Sequence, residues 1–171
     1  MIEIETPSSP LADSIKEVFE ACSLHMTDFE VEPESQKYKA CRFRVNGAVV
    51  IGRDAKVTPK KVGQFVTFWK RNEKGIIVPF FETDPIDYYT VNVRTENRFG
   101  QFVFPKAVLI KRGIVSTEQK EGKRAFRVYP PWDVVHSKQA EQSQKWQLQY
   151  FSDLDPATDR TRAKKLYTNH L

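Results

Sequence analysis

Cysteine is scarce in this chain: Cys22 and Cys41 are the only two among 171 residues. Two cannot build a disulfide framework, and a chain of this length buries enough apolar surface to be stable without one. Both therefore read as reduced core thiols. Histidine is nearly as rare, and His25, His136 and His170 show no ligand spacing with one another or with the cysteines. That argues against a structural zinc site, and no metal or other cofactor is expected. The seven glycines form no phosphate-cradling loop, and neither GxSxG nor HExxH occurs, which removes most familiar nucleotide-binding folds and hydrolases. No apolar run approaches the roughly 18 residues of a membrane span. No basic-then-apolar leader opens the sequence, so the expectation is a cytoplasmic protein that does not engage a membrane.

What remains is an ordinary globular composition, 40% apolar and 12% aromatic, of a size that suits one domain. The net charge of +5 is unevenly spread: residues 1–36 hold one Lys against nine acids, and residues 37–74 hold eleven Lys/Arg against two. Residues 106–131 are again basic, seven against two, while residues 75–105 carry a local charge of −2. Either the acidic N-terminal part folds over the basic part and neutralises it, or a basic face stays open for phosphates.

Ser9-Pro10 is a helix start, and Leu11, Ile15, Val18, Phe19 and Cys22 follow as one apolar stripe. Cys41, Phe43 and Val45 alternate with Arg42 and Arg44 before Asn46-Gly47, the preferred two-residue hairpin turn. That turn sets Val45 opposite Ala48 and Phe43 opposite Val50, leaving Arg42, Arg44 and Arg53 on the other face. Thr58-Pro59 reads as a turn or a helical start. Strands are predicted at 65–69, 76–81, 86–93, 99–104 and 123–129. A short helix lies between Pro105 and Gly113, and Ser137 caps a last helix running to about Leu154. Gly63-Gln64-Phe65-Val66 recurs as Gly100-Gln101-Phe102-Val103, which predicts two interior strands of one sheet. One such pair is too short to argue a duplicated domain. The sum is an α+β fold: a single domain over residues 1–154, a curved antiparallel β-sheet packed with an N-terminal and a C-terminal helix. A flexible charged tail is expected at 155–171.

Two constellations carry chemistry. Asp54-Ala55-Lys56 has the acid–lysine spacing that metal-dependent nucleases use on a strand. Glu34, or Glu17 or Glu20, is the available second carboxylate, and Asp54 pairing with Lys39 is the plain alternative. The stronger constellation interleaves cations with aromatic and amide groups. Arg53, Lys56, Lys60 and Gln64 lead the first cluster, which continues through Lys61, Trp69, Lys70 and Arg71. Lys123, Arg124, Arg127, Tyr129 and Trp132 form the second. Along a strand, Lys123, Ala125, Arg127 and Tyr129 share one face. Arg offers planar donors to phosphate, and Tyr or Trp offers a surface on which a base can stack, although Trp69 and Trp132 taken singly suit a core equally well.

Long segments of the chain resemble the bacterial MepB family. They include Glu32-Pro33-Glu34-Ser35, Arg53 through Val66, Trp69-Lys70-Arg71, Gly100 through Lys106, Gly122 through Trp132, Ser137 through Ala140 and Gln144 through Gln147. The resemblance covers nearly all of residues 9–152 and brings no activity with it. It implies tolerance of residues other than Asp at position 54, which favours Arg53 and Lys56 over Asp54 as site residues. The leading expectation is a binder of an anionic, phosphate-bearing partner, nucleic acid or nucleotide, in one basic cleft where both clusters meet. The alternatives are a metal-dependent phosphodiesterase using Glu34, Asp54 and Lys56, and an enzyme or binding protein for a small anion oriented by Gln64, Gln101, Gln144 or Gln147.

Overall fold

The structure is a computed structural model that describes residues 16, 19–155 and 160–168. Strand β1 (Met26–Val31) pairs antiparallel with β2 (Cys41–Val45), and Asn46-Gly47 turns β2 into β3 (Ala48–Asp54). Both turn residues take positive φ, 49° and 85°, as a two-residue hairpin turn requires. The register joins Val45 to Ala48 and Phe43 to Val50, as the turn predicts. The chain then leaves this layer. Strands β4 (Lys56–Thr58) and β5 (Lys61–Thr67) begin a second sheet, and β6 (Lys70–Arg71) and β7 (Ile77–Val78) make a small ribbon. Pro59-Lys60 is thus the turn of a hairpin and starts no helix. Strand β8 (Tyr88–Arg94) returns beside β3, and β9 (Phe99–Pro105) runs antiparallel to β8. Helix α1 (Lys106–Lys111), β10 (Ala125–Val128), α2 (Lys138–Gln147), β11 (Phe151–Asp155) and α3 (Arg160–Thr168) complete the order.

The main sheet has six strands in the order β1-β2-β3-β8-β9-β11, and the second has three, β10-β5-β4. The fold is α+β, but the main sheet is mixed, because β3 and β8 run parallel. A parallel pair needs a crossover, and the excursion through β4 to β7 supplies it. On one side, Ile51, Tyr89, Val91, Phe102 and Phe104 pack against Val66 and Val128 of the second sheet and against Phe68 just beyond β5. The Phe68 ring lies 3.9 Å from Tyr89 and 4.4 Å from Phe80. On the other side, Phe43, Val50, Tyr88 and Val103 meet Phe19, Leu24, Leu166 and Tyr167.

Three further expectations change. The two Gly-Gln-Phe-Val strands lie in different sheets: β9 is buried from Gly100 onward, whereas Phe65 of β5 is half-buried because the second sheet is core-packed on one face only. The Ser137 cap holds, accepting from the Ala140 amide at 3.1 Å, but the helix stops at Gln147 and residues 151–155 extend as β11. The segment expected to be a flexible tail includes α3, which buries Ala163, Leu166 and Tyr167. Of the first helix, residues 16 and 19–21 are helical, with Phe19 and Cys22 buried, whereas Leu11, Ile15 and Val18 lie outside the described residues. Cys22 is buried and Cys41 partly buried. Burial pushes Cys41 up to about 12 against the opposing pull of Arg53, which leaves it unreactive.

Candidate anion-binding site

Register builds one face of the second sheet. Lys56 stands beside Phe65, and Phe65 beside Arg127. Because side chains alternate, Val66 and Val128 turn inward while Lys56, Phe65 and Arg127 share the opposite face. Ala125 of β10, with Lys123 before the strand and Tyr129 just after it, joins Arg127 in lining a cleft of about 530 Å³ at the strand's open edge. Lys61 at the start of β5 and Arg112 after α1 reach the same cleft, and α2 supplies Ser143 and Trp146, with Ser137 at its cap. Among the described residues that line it, none is Asp or Glu.

The cleft walls are held by specific contacts. Arg127 donates from Nη2 to Thr58 Oγ1 at 2.7 Å and from Nη1 to the carbonyls of Val62 and Gly63 at 3.4 and 3.3 Å. Its guanidinium is therefore already oriented. The Tyr129 ring occupies the space above Gly63, whose φ is +84° and where a Cβ would come within 2.7 Å of the ring. Only glycine meets both demands. Helix α2 is fastened to β10 through one amide: Gln147 Oε1 accepts from Tyr129 N at 2.8 Å, and Nε2 donates to Arg127 O at 2.9 Å. The Arg112 guanidinium sits 5.1 Å from the centre of the Trp146 ring.

Other predicted site residues lie elsewhere. Arg53 is 2% exposed and lines a separate cleft of about 320 Å³ between β1, β3 and β6. Its Nη1 donates to Gly52 O at 2.8 Å, its Nη2 to Glu32 at 3.3 Å, and its Nε finds no acceptor among the described residues. That cleft sets Glu30, Glu32, Glu34 and Asp84 against Arg42, Arg53, Lys70 and Arg71. Lys70 pairs with Asp84 and Arg71 with Glu34, so its charges cancel. Arg53 therefore does not join Arg127 in one cleft. Lys60 is exposed at the β4–β5 turn. Gln64 is buried and donates to the Arg94 carbonyl at 3.3 Å. Arg124 pairs with Glu121 at 3.0 Å. Trp132 packs edge-on against Phe151 with Arg98 4.7 Å from its ring. Gln144 donates to the carbonyls of Pro130 and Asp133, so it too is engaged by backbone. Lys123, Arg127 and Tyr129 are brought together. Arg112 and Trp146 are the cleft residues that sequence reasoning did not join to them, because a helix end and a helix face lie beyond the reach of strand alternation.

Glu34, Asp54 and Lys56 do not share a site. Consecutive residues of β3 face opposite ways, and Asp54 turns away from Arg53 into a buried chain. Its Oδ1 accepts from Asn92 Nδ2 at 3.0 Å, Gln101 Nε2 donates to Asn92 Oδ1 at 2.8 Å, and the Tyr167 hydroxyl donates to Gln101 Oε1 at 2.7 Å. Glu34 is held by Arg71, and the Lys56 ammonium lies 5.1 Å from the Tyr38 ring. Among the described residues, no group of three or more His, Cys, Asp and Glu could hold a metal ion. Burial raises the Asp54 carboxyl above its ordinary value of 3.8, opposed by the Asn92 bond and by Arg94 and Lys39. A raised folded-state value means that the ionised form is disfavoured by the fold at neutral pH, and that this cost fades as pH falls through it. Asp54→Asn, which keeps an acceptor for Asn92, is expected to be more stable than the parent near pH 7. Urea midpoints should converge near pH 4, and a lower midpoint for the variant near pH 7 would refute the argument.

The layers and the cleft define a single-domain α+β protein with a mixed sheet and a basic cleft at the edge of its three-stranded sheet. The chain belongs to the MepB-like family, whose family model matches residues 32–153. A crystal structure of MepB superposes with a TM-score of 0.76 at 34% identity, covering 88% of this chain and all 100% of that one. A bacterial homing endonuclease, I-Ssp6803I, aligns with a TM-score of 0.44 at 14% identity over 79% of this chain and 84% of its own, a likeness too slight to argue from. No curated protein matches the sequence. Among the described residues, no helix is long and apolar enough to cross a membrane.

Proposed function

We propose that the protein binds an anionic, phosphate-bearing ligand, nucleic acid or nucleotide, in the cleft beside β10. One observation carries this reading: Lys61, Arg112, Lys123 and Arg127 line the cleft with no carboxylate among the described residues beside them. Fields of like sign add in a concave site, so an anion gains more there than beside a lone surface cation. The Arg53 cleft holds as many cations but sets an equal number of acids among them. Arg127 is fixed by Thr58 and two carbonyls, so it offers its remaining donors without first losing freedom, and Arg forks suit phosphate oxygens. Lys61 and Lys123 act as point charges, and the Tyr129, Ser137 and Ser143 hydroxyls add neutral donors.

The test is a salt titration of binding, with pyrophosphate and a short DNA strand as probes. Affinity for the strand should fall as salt rises, with a logarithmic slope of about −0.7 for each phosphate engaged. Arg112→Ala with Lys123→Ala removes two exposed cations and should flatten that slope by about 1.4. Salt-independent binding, or an unchanged slope in the double variant, would defeat the proposal.

A further inference from the structure

We infer that the ligand is single-stranded nucleic acid, its bases stacked on an aromatic strip that crosses the same sheet face. This rests on the anion reading above and names the class of molecule that fills the site. The row Arg127, Phe65, Lys56 runs across β10, β5 and β4, about 10 Å from end to end at ordinary strand spacing. Tyr38, at the end of the short 3-10 turn Gln36–Tyr38, adds a second ring 6.2 Å from Phe65. Both rings are half-buried, so each keeps an accessible margin. Beyond the end of β5 comes Trp69, also half-buried, which lines the neighbouring Arg53 cleft with Arg71 5.5 Å from its ring centre. Lys56 lies 5.1 Å from Tyr38 and Arg127 6.0 Å from Phe65. Tyr38 and Phe65 each have one cation at their side, and the cation beside Trp69 is shared with Glu34.

That alternation matches one class of polymer. A single strand presents base, phosphate, base, phosphate, and every base has a π-face that an aromatic ring can meet. In a duplex the bases are already stacked inside and cannot reach a ring on a sheet. A mononucleotide would occupy one ring and leave two unused. Arg127 belongs to both features, lining the basic cleft and ending the strip, so a strand can pass from one to the other without a break.

The experiment compares an oligothymidylate of about ten nucleotides with an abasic strand of equal length, by fluorescence anisotropy at fixed salt. The parent protein should hold the base-bearing strand about 10-fold more tightly or better. Phe65→Leu keeps apolar bulk in β5 and should erase that preference while leaving affinity for the abasic strand unchanged, and Phe65→Trp should retain it. If Phe65→Leu does not fold, as judged by its melting curve, Tyr38→Leu serves the same comparison. Equal binding of both strands by the parent, or an undiminished preference in the leucine variant, overturns the inference. The anion cleft still stands in that case if Arg112→Ala with Lys123→Ala removes binding of the abasic strand. If the parent binds neither strand nor pyrophosphate, both readings fall, and a protein partner becomes the occupant to seek.

Discussion

Tyr167→Ala is expected to destabilise the fold by about 4 kcal/mol, read as a lowered urea midpoint at unchanged slope. Tyr167 is 1% exposed. Its ring stands edge-on to Phe19 at 5.2 Å and to Tyr88 at 5.5 Å, so truncation opens a cavity between α3 and the main sheet. The hydroxyl donates to Gln101 Oε1 at 2.7 Å and meets Thr90 Oγ1 at 3.0 Å, and burial pushes its ionisation far above the usual phenol range. It is therefore a neutral donor throughout ordinary conditions, and its loss leaves buried polar groups on β8 and β9 without a partner. Tyr167→Phe separates the two effects and should cost about 1–2 kcal/mol, the part due to hydrogen bonding. A loss below about 1 kcal/mol in the alanine variant would mean that α3 does not hold the sheet, and that residues 160–168 behave as the free tail their charge suggests.

Glu32→Ala should also be costly, at about 3 kcal/mol, because it strands Arg53 in the interior. The Arg53 side chain is 1% exposed and that of Glu32 25%, so the carboxylate's partial contact with water sets the expectation at the lower end of the range for broken buried pairs. The penalty belongs to the arginine left behind. Arg53→Met should therefore be milder than Glu32→Ala, and adding Glu32→Ala to Arg53→Met should cost little more. A double-mutant cycle from denaturant unfolding measures the coupling. Equal costs for Glu32→Ala in the parent and in the Arg53→Met variant would show that the pair contributes nothing.

Several parts of this architecture can be read without coordinates. Asn46-Gly47 specifies a turn whose φ values few other residue pairs tolerate, and the turn then determines which residues of β2 and β3 face each other. Ser137 marks a helix start by its capping hydrogen bond, and Pro105 and Gly113 bracket another helix by their backbone preferences, none of which needs tertiary context. The alternation Lys123, Ala125, Arg127, Tyr129 likewise defines a face by strand geometry alone. What escapes is decided by distant neighbours. Helix α3 carries Arg160, Arg162, Lys164 and Lys165 among few apolar residues, so its composition resembles a solvated tail until Leu166 and Tyr167 find the sheet. Arg53 sits in a basic run that suggests an open face, yet Glu32 and the loop after β1 close over it. Nothing in the repeated Gly-Gln-Phe-Val reveals that its two copies serve separate sheets, because the burial of Phe65 and Phe102 depends on which layer covers each strand.

The Gln147 amide that ties α2 to β10 has a consequence for how these molecules behave in a crowd. A strand at the margin of a sheet offers main-chain donors and acceptors to any extended segment that drifts past, and such margins are where chains begin to polymerise. Here the side chain of Gln147 occupies an acceptor and a donor at that margin, Arg127 O and Tyr129 N, much as one residue of a neighbouring strand would. The basic cleft can thus lie against an open sheet margin without inviting another copy of the chain to zip onto it.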